Sequence, residues 1–180
     1  SAGADRVVAY EPNPAMFERL SSTIKKNRFD GQVELRNFAL ADVASEEVLM
    51  VLEGRPSSSG AHLASGDSNP AFEWSAGPKV TVRTLDEDLL DLGVDEVASL
   101  KIDAEGAEFR VLSGAMKTLT DSKPSIVVEL LDLESFEKLT QLLNYNYTVP
   151  VSPLLDSRSL GARGDQVFCA GNYLFVTRHP

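Results

Sequence analysis

Cysteine, histidine, basic charge and long apolar runs are all scarce in this 180-residue sequence. The single cysteine, Cys169, has no partner for an internal disulfide, so no covalent framework holds the fold. That usage suits a reducing, cytoplasmic compartment. No histidine is placed to pair with Cys169, which reads as a buried, inert residue of a late strand. With only His62 and His179 available, histidine-rich metal sites and a Ser-His-Asp triad have little raw material. No apolar run approaches the roughly 18 residues that a membrane span requires, and no signal-peptide pattern opens the chain. Lysine and arginine total 17 against 27 aspartates and glutamates, a formal net charge of −10. That balance excludes a surface built for phosphate backbones and a polybasic membrane-binding face. The chain holds 12 glycines, yet no two stand at G-x-G spacing, so a dinucleotide-binding loop is missing from it.

What is present fits one soluble domain over residues 1–180: 43% of the residues are hydrophobic and 24% charged, and the length suffices for a real core. Residues 7–10 read as a short strand, stopped by Glu11-Pro12-Asn13-Pro14. Asn13 with Pro14 reads as an N-cap followed by proline at the first helical position. Met16, Phe17, Leu20 and Ile24 give that helix one apolar face, and Gly31 marks its exit. Strands are predicted at 33–38, 47–52, 79–84, 97–102, 125–129, 147–151 and 173–177. Helices are predicted at 85–92, through Val111–Leu119, and through Phe136–Leu143. Residues 54–78 read as a long loop, either a functional lid or a tolerated insertion. His62 within it is expected to be exposed. Residues 152–171 are turn-rich, and their Arg163-Gly164-Asp165 triplet is best explained by chance. The alternation predicts a doubly wound α/β sheet with right-handed crossovers.

The stretch Ser99-Leu100-Lys101-Ile102-Asp103-Ala104-Glu105-Gly106-Ala107-Glu108 draws the most interest. A short strand breaks there at an aspartate and reaches glycine before a helix. Ligands of open α/β sheets bind beyond the carboxyl ends of the strands, so Asp103 is a functional candidate. The plainer alternative is that Asp103 or Glu105 caps the following helix. Glu11 follows a predicted strand and Glu129 ends one, which sets three acids at one sheet edge. Glu11, after an early strand, is positioned to accept hydrogen bonds from the vicinal hydroxyls of a ribose.

Four segments in order resemble FkbM-type methyltransferases: Val7-Val8-Ala9-Tyr10-Glu11-Pro12-Asn13-Pro14, Asn37-Phe38-Ala39-Leu40-Ala41-Asp42, Thr84-Leu85-Asp86, and Leu100 to Glu108. Val111-Leu112-Ser113-Gly114-Ala115, Pro124 with Glu129, and Asn172-Tyr173-Leu174-Phe175 extend the resemblance over nearly the whole chain. The resemblance implies a Rossmann-like class I methyltransferase sheet, S-adenosyl-L-methionine as cofactor, and methyl transfer to a hydroxyl oxygen of a small-molecule, sugar or lipid-linked acceptor. It implies cofactor binding by Glu11, Asn13, Phe38, Ala39, Asp42 and Asp103, and catalytic work by Asp103, Glu105 and Glu129. Similar family members begin with a strand and glycine-rich turn. Here the opening residues 1–6 look like the end of the helix after that turn, so the first strand and helix are expected to be missing.

In the implied mechanism Asp103 orients the acceptor hydroxyl or takes its proton. Whether a divalent cation joins it is left open by the sequence. Two other readings stand beside it. One is a non-catalytic remnant or partner-binding module of the same fold. The other is a metal-dependent phosphotransferase or hydrolase using Asp103 and Glu105, which no phosphate-cradling loop supports.

Overall fold

The computed structural model describes residues 4–55, 60–66, 73–130, 132–143, 147–148, 159–163, 166–169 and 171–177. Strand β1 (Val7–Tyr10), helix α1 (Pro14–Lys26) and strand β2 (Val33–Arg36) open the chain, and β1 and β2 pair in parallel. The helix starts where sequence chemistry places it: the Asn13 side chain accepts from the Ala15 N–H and Pro14 follows the cap. It ends earlier than Gly31. Asn27 caps it through its backbone N–H, and Arg28 takes the left-handed turn at φ 60°.

Strands β3 (Ala39–Leu40), β4 (Ser45–Leu52), β5 (His62–Leu63) and β6 (Trp74–Arg83) form a sheet in the order β3-β6-β4-β5. Only β3 runs parallel to its neighbour; β4 pairs antiparallel with both β5 and β6. The predicted loop at 54–78 therefore contains one strand and the beginning of another. Leu63 is drawn in because it pairs opposite Leu49 and is buried with it.

Helix α2 (Leu85–Asp91) then leads to β7 (Ser99–Ile102), α3 (Glu108–Ser113), α4 (Met116–Asp121), β8 (Ser125–Leu130), α5 (Leu133–Leu143) and β9 (Tyr147–Thr148). A hairpin of β10 (Ser159–Arg163) and β11 (Gln166–Cys169) stands where a turn-rich stretch was predicted, and β12 (Gly171–Thr177) closes the chain. Residues 149–151 of the strand predicted at 147–151, and His179, lie outside the described residues. Cys169 is in β11, and its side chain also lies outside the description. Strands β7 and β8 are parallel, but β12 is antiparallel to β8 and to β9, in the order β7-β8-β12-β9. The architecture is thus mixed α/β, and the expected single parallel sheet is divided.

The division has a definite place. Among the described residues β1 pairs only with β2, and β7 pairs on one side only, with β8. Residues of β1 and of β7 line the same cavity of about 1000 Å³.

Two apolar clusters hold these parts. Leu85, Leu89, Ile102, Leu112, Ile126, Val128 and Phe175 belong to the larger. Leu49, Val51, Leu63, Val80 and Val82 belong to the smaller, beneath the antiparallel sheet. Each fully buried side chain of this kind contributes about 1.5–3 kcal/mol. Buried among them is a charge: Asp88 is fully enclosed and accepts from the Tyr10 hydroxyl at 2.9 Å, Arg36 Nη2 at 2.6 Å and Arg83 Nη1 at 3.0 Å. The Tyr10 hydroxyl is held protonated well above its ordinary range by burial and by its bond to Asp88.

The helix predicted through Val111–Leu119 is two helices, and Gly114 is the reason. A Cβ at Gly114 would stand 2.1 Å from the Ala41 carbonyl oxygen, so only glycine fits where the two segments cross. Asp86 restarts the helix, accepting from the backbone N–H groups of Lys117 at 2.8 Å and Thr118 at 2.9 Å. Two substitutions test this construction in urea unfolding. Gly114→Ala destabilises by about 1–3 kcal/mol or more through overpacking. Asp88→Ala destabilises by about 3–5 kcal/mol, because it strands two guanidinium groups that faced a buried carboxylate.

Candidate functional site

The site is built where β1 and β7 end. Glu11 continues the pairing of β1 by one residue, its N–H bonding the Arg36 carbonyl at 3.0 Å, before Pro12 stops it. Glu11 Oε1 accepts from the Asn13 N–H at 2.8 Å. Oε2 has no partner among the described residues. Burial raises the Glu11 carboxyl above its ordinary value, and the Asn13 N–H opposes this. Asn13 is buried as the cap of α1. Phe38 packs at 5.6 Å from the Tyr10 ring, with the guanidinium groups of Arg36 and Arg83 at 5.3 and 5.6 Å from its centroid.

Beyond β7 the chain turns through Glu105 at φ 50° and Gly106 at φ 96°. A non-glycine residue in that left-handed region costs of order 1–3 kcal/mol and is held by its surroundings. Here Glu108 holds it. Its carboxylate folds back to accept from the Ala104 N–H at 2.9 Å and from the Gly106 N–H at 3.1 and 3.2 Å. Helix α3 has no side-chain cap, so neither Asp103 nor Glu105 serves as one. Sequence reasoning missed this role for Glu108. The signal was its place four residues after Ala104, at the end of the acidic stretch.

Asp103 remains half-exposed, 3.5 Å from Lys101 Nζ. Its second neighbour is Glu129, which pairs opposite Asn172 in β8, the strand running one residue past it. A hydrogen bond donated to Asp103, burial and the Asp103 charge push the Glu129 carboxyl up to about 7. Glu129 therefore keeps its proton to a higher pH than an ordinary glutamate does. Burial and the charges of Asp103 and Glu108 also raise Glu105.

Glu11, Asn13, Phe38, Ala39, Asp103 and Glu105 are brought together around the cavity. Asp42 and Glu129 do not line it. Asp42 is engaged elsewhere: its Oδ1 accepts from Arg110 Nε at 2.8 Å, and Arg110 Nη2 reaches Glu47 Oε1 at 2.9 Å. Burial alone would raise the Asp42 carboxyl, but the Arg110 bond, backbone donors and charge hold it below its ordinary value.

His62 departs most from expectation. It is buried rather than exposed, lines the cavity, and meets the Trp74 ring edge to face at 4.3 Å. Burial lowers its pKa, which favours the neutral imidazole. The sequence signal was slight: Ala61 and Leu63 are apolar islands in a polar stretch.

The cavity is at the upper end of the usual ligand-site range of about 300–1,000 Å³. Its acids would attract a cation, and Glu11 Oε2 can accept from a ribose hydroxyl. A nucleoside-bearing sulfonium such as S-adenosylmethionine fits that donor set. Among the described residues no three of His, Cys, Asp and Glu converge in a way that could hold a metal.

Comparison with known proteins bears on what occupies this site. Residues 1–149 match the model of the methyltransferase FkbM domain. No curated protein matches the chain in sequence. A crystal structure of methyltransferase FkbM from Methylobacillus flagellatus KT, at 2.20 Å resolution, superposes with a TM-score of 0.57 at 16% identity. The match covers 96% of this chain and 36% of that one, so the present chain spans about a third of its relative's length. At that identity the likeness is one of fold.

The raised Glu129 carboxyl gives a signed pH prediction. Glu129 has a folded pKa of about 7, above the 4.5 of an unperturbed glutamate. Its contribution to stability is therefore fully present below about 4.5 and is lost as pH rises through about 7. Unfolding free energies measured from pH 4 to 8 should fall over that window. Glu129→Gln should flatten the fall.

Proposed function

Because the chain belongs to the FkbM methyltransferase family, we propose that it binds S-adenosylmethionine between the ends of β1 and β7 and methylates a hydroxyl oxygen of a small-molecule, sugar or lipid-linked acceptor. One observation carries this reading: Glu11 and Asp103, each at the end of a strand, line the same cavity. A Rossmann-like class I arrangement, in which the cofactor lies across strand ends, accounts for that placement. When bound, S-adenosylmethionine supplies an electrophilic methyl group and departs as a neutral thioether.

The residues of the chain have separate tasks. Glu11, with Oε1 fixed by the Asn13 N–H, offers Oε2 to the ribose hydroxyls. Phe38 and Ala39 supply apolar surface for the adenine. Asp103 receives the hydroxyl proton while the new O–C bond forms. Glu129 and Lys101 flank Asp103: the first donates a hydrogen bond to it and the second lies 3.5 Å away. Glu105 adds negative charge near the cationic donor. Holding donor and acceptor in line is the larger effect, with effective molarities up to about 10⁵–10⁸ M in favourable cases. Proton transfer to a placed carboxylate typically adds about 10²–10⁴-fold.

A non-catalytic, partner-binding module of the same fold is a second reading. It is favoured by the two strand edges, β1 and β7, that line the cavity and offer backbone groups to a partner's strand.

Calorimetry with S-adenosylhomocysteine separates the two. Saturable binding is expected for an enzyme, and a folded chain that gives no heat of binding argues for the module. Glu11→Gln should weaken that binding about tenfold or more, as the loss of a hydrogen bond to a charged group does. Asp103→Asn should leave it unchanged while slowing transfer of labelled methyl groups to neutral alcohols by about 10²–10⁴-fold. Transfer at the parental rate would remove Asp103 from the mechanism.

A further inference from the structure

Strand β5 contributes a wall to the cavity, to which none of the residues assigned above to the cofactor belongs. Ala61, His62 and Leu63 line it together with Leu49 of β4. The wall is anchored to the loop that carries Asp103. Arg110, on α3 just past that loop, bonds Ser65 and Glu47, and Ser65 also donates to Glu47. A Cβ at Gly66 would lie 3.9 Å from the Gly106 carbonyl oxygen, so the turn after β5 abuts the turn after β7. His62 and Asp103 are thereby fixed on one cavity by packed backbone and a partly buried ion pair.

We propose that this wall seats the methyl acceptor: the ring N–H of His62 donates a hydrogen bond to the oxygen of the acceptor's hydroxyl, leaving the hydroxyl proton for Asp103, and Leu49, Ala61 and Leu63 hold an uncharged, apolar body beside it. The proposal rests on the methyltransferase reading and adds to it the class of acceptor and the residue that selects it. Three observations support it. The flanking wall residues are apolar. The His62 ring is buried against Trp74, where burial favours the neutral imidazole, whose one N–H can donate to a hydroxyl oxygen. The charged side chains lining the cavity are mainly acids, with Asp5, Glu11, Asp95, Glu96, Asp103 and Glu105 set against Arg6 and Lys101. Such a lining repels phosphorylated and carboxylated acceptors and admits neutral alcohols.

The chain carries two histidines, so the imidazole signals of His62 are resolved by NMR and assigned with His62→Phe. Benzyl alcohol serves as a neutral, apolar-bodied probe, and benzyl phosphate as its anionic counterpart. Benzyl alcohol should move the His62 signals, leave those of His179 in place, and compete with no bound S-adenosylhomocysteine. Benzyl phosphate should not move them. In methyl transfer, His62→Phe should raise the acceptor KM about tenfold with S-adenosylhomocysteine affinity unchanged, and His62→Gln should recover part of the loss.

The proposal is overturned if the His62 signals stay still at saturating benzyl alcohol, if benzyl phosphate moves them equally, or if His62→Phe leaves the KM at its parental value. Its failure is distinguishable from failure of the methyltransferase reading. A chain that binds S-adenosylhomocysteine without a His62 response loses only the acceptor wall. A chain whose His62 responds but that binds no S-adenosylhomocysteine keeps the wall and loses the cofactor.

Discussion

One buried carboxylate ties together parts of the chain that backbone pairing leaves apart. The strands β1 and β2 hydrogen-bond to each other, and among the described residues they join no larger sheet. Asp88, on α2, reaches Tyr10 of β1, Arg36 of β2 and Arg83 of β6 at once. A charge taken fully out of water is costly, and it persists only where several donors face it. Tyr10 and two arginines meet that requirement. The same guanidinium groups flank Phe38, so the network that fixes β1 also fixes the aromatic edge of the cavity. Glu11 follows Tyr10 directly, and its position is inherited from this knot.

Residues within the family-like segments divide by what they touch. Glu11 and Asp103 line the cavity. Asp86, Gly114 and Glu108 serve the chain itself: one restarts a helix, one permits a crossing of backbones, one closes a strained turn. A conspicuous acid is therefore no better as a guide than its surroundings. Glu108 is more deeply buried than Asp103, yet its oxygens are already committed to backbone N–H groups of its own loop. Asp103, half-exposed beside Lys101 and Glu129, keeps capacity to act on something else.

What the sequence made legible was local. Strand β1, the Asn13–Pro14 helix start and the apolar run of β8 each follow from neighbours a few residues apart. The features it concealed depend on partners far along the chain. Asp42 sits 68 positions from Arg110, and nothing near it announces an ion pair. Gly114 breaks a helix because Ala41 passes beside it. His62 looks like a loop residue until β4 and Trp74 cover it. The antiparallel setting of β12 was equally hidden, since an apolar strand reads the same in either direction. At the site, the cluster of Glu11 and Asp103 followed from where their strands end, whereas the separation of Asp42 from it required the fold.

The cavity between β1 and β7 has a thermodynamic consequence. Its two sides belong to strand pairs that share no backbone hydrogen bonds among the described residues. A molecule that touches both sides binds only when they are correctly disposed, and the unfolded chain offers it nothing. Occupancy and folding are then linked: stability rises by about RT ln(1 + [L]/Kd), or roughly 2.7 kcal/mol at a hundredfold excess over Kd. The melting temperature of this protein is thus a measure of what fills its divided sheet, whether or not the filler is ever turned over.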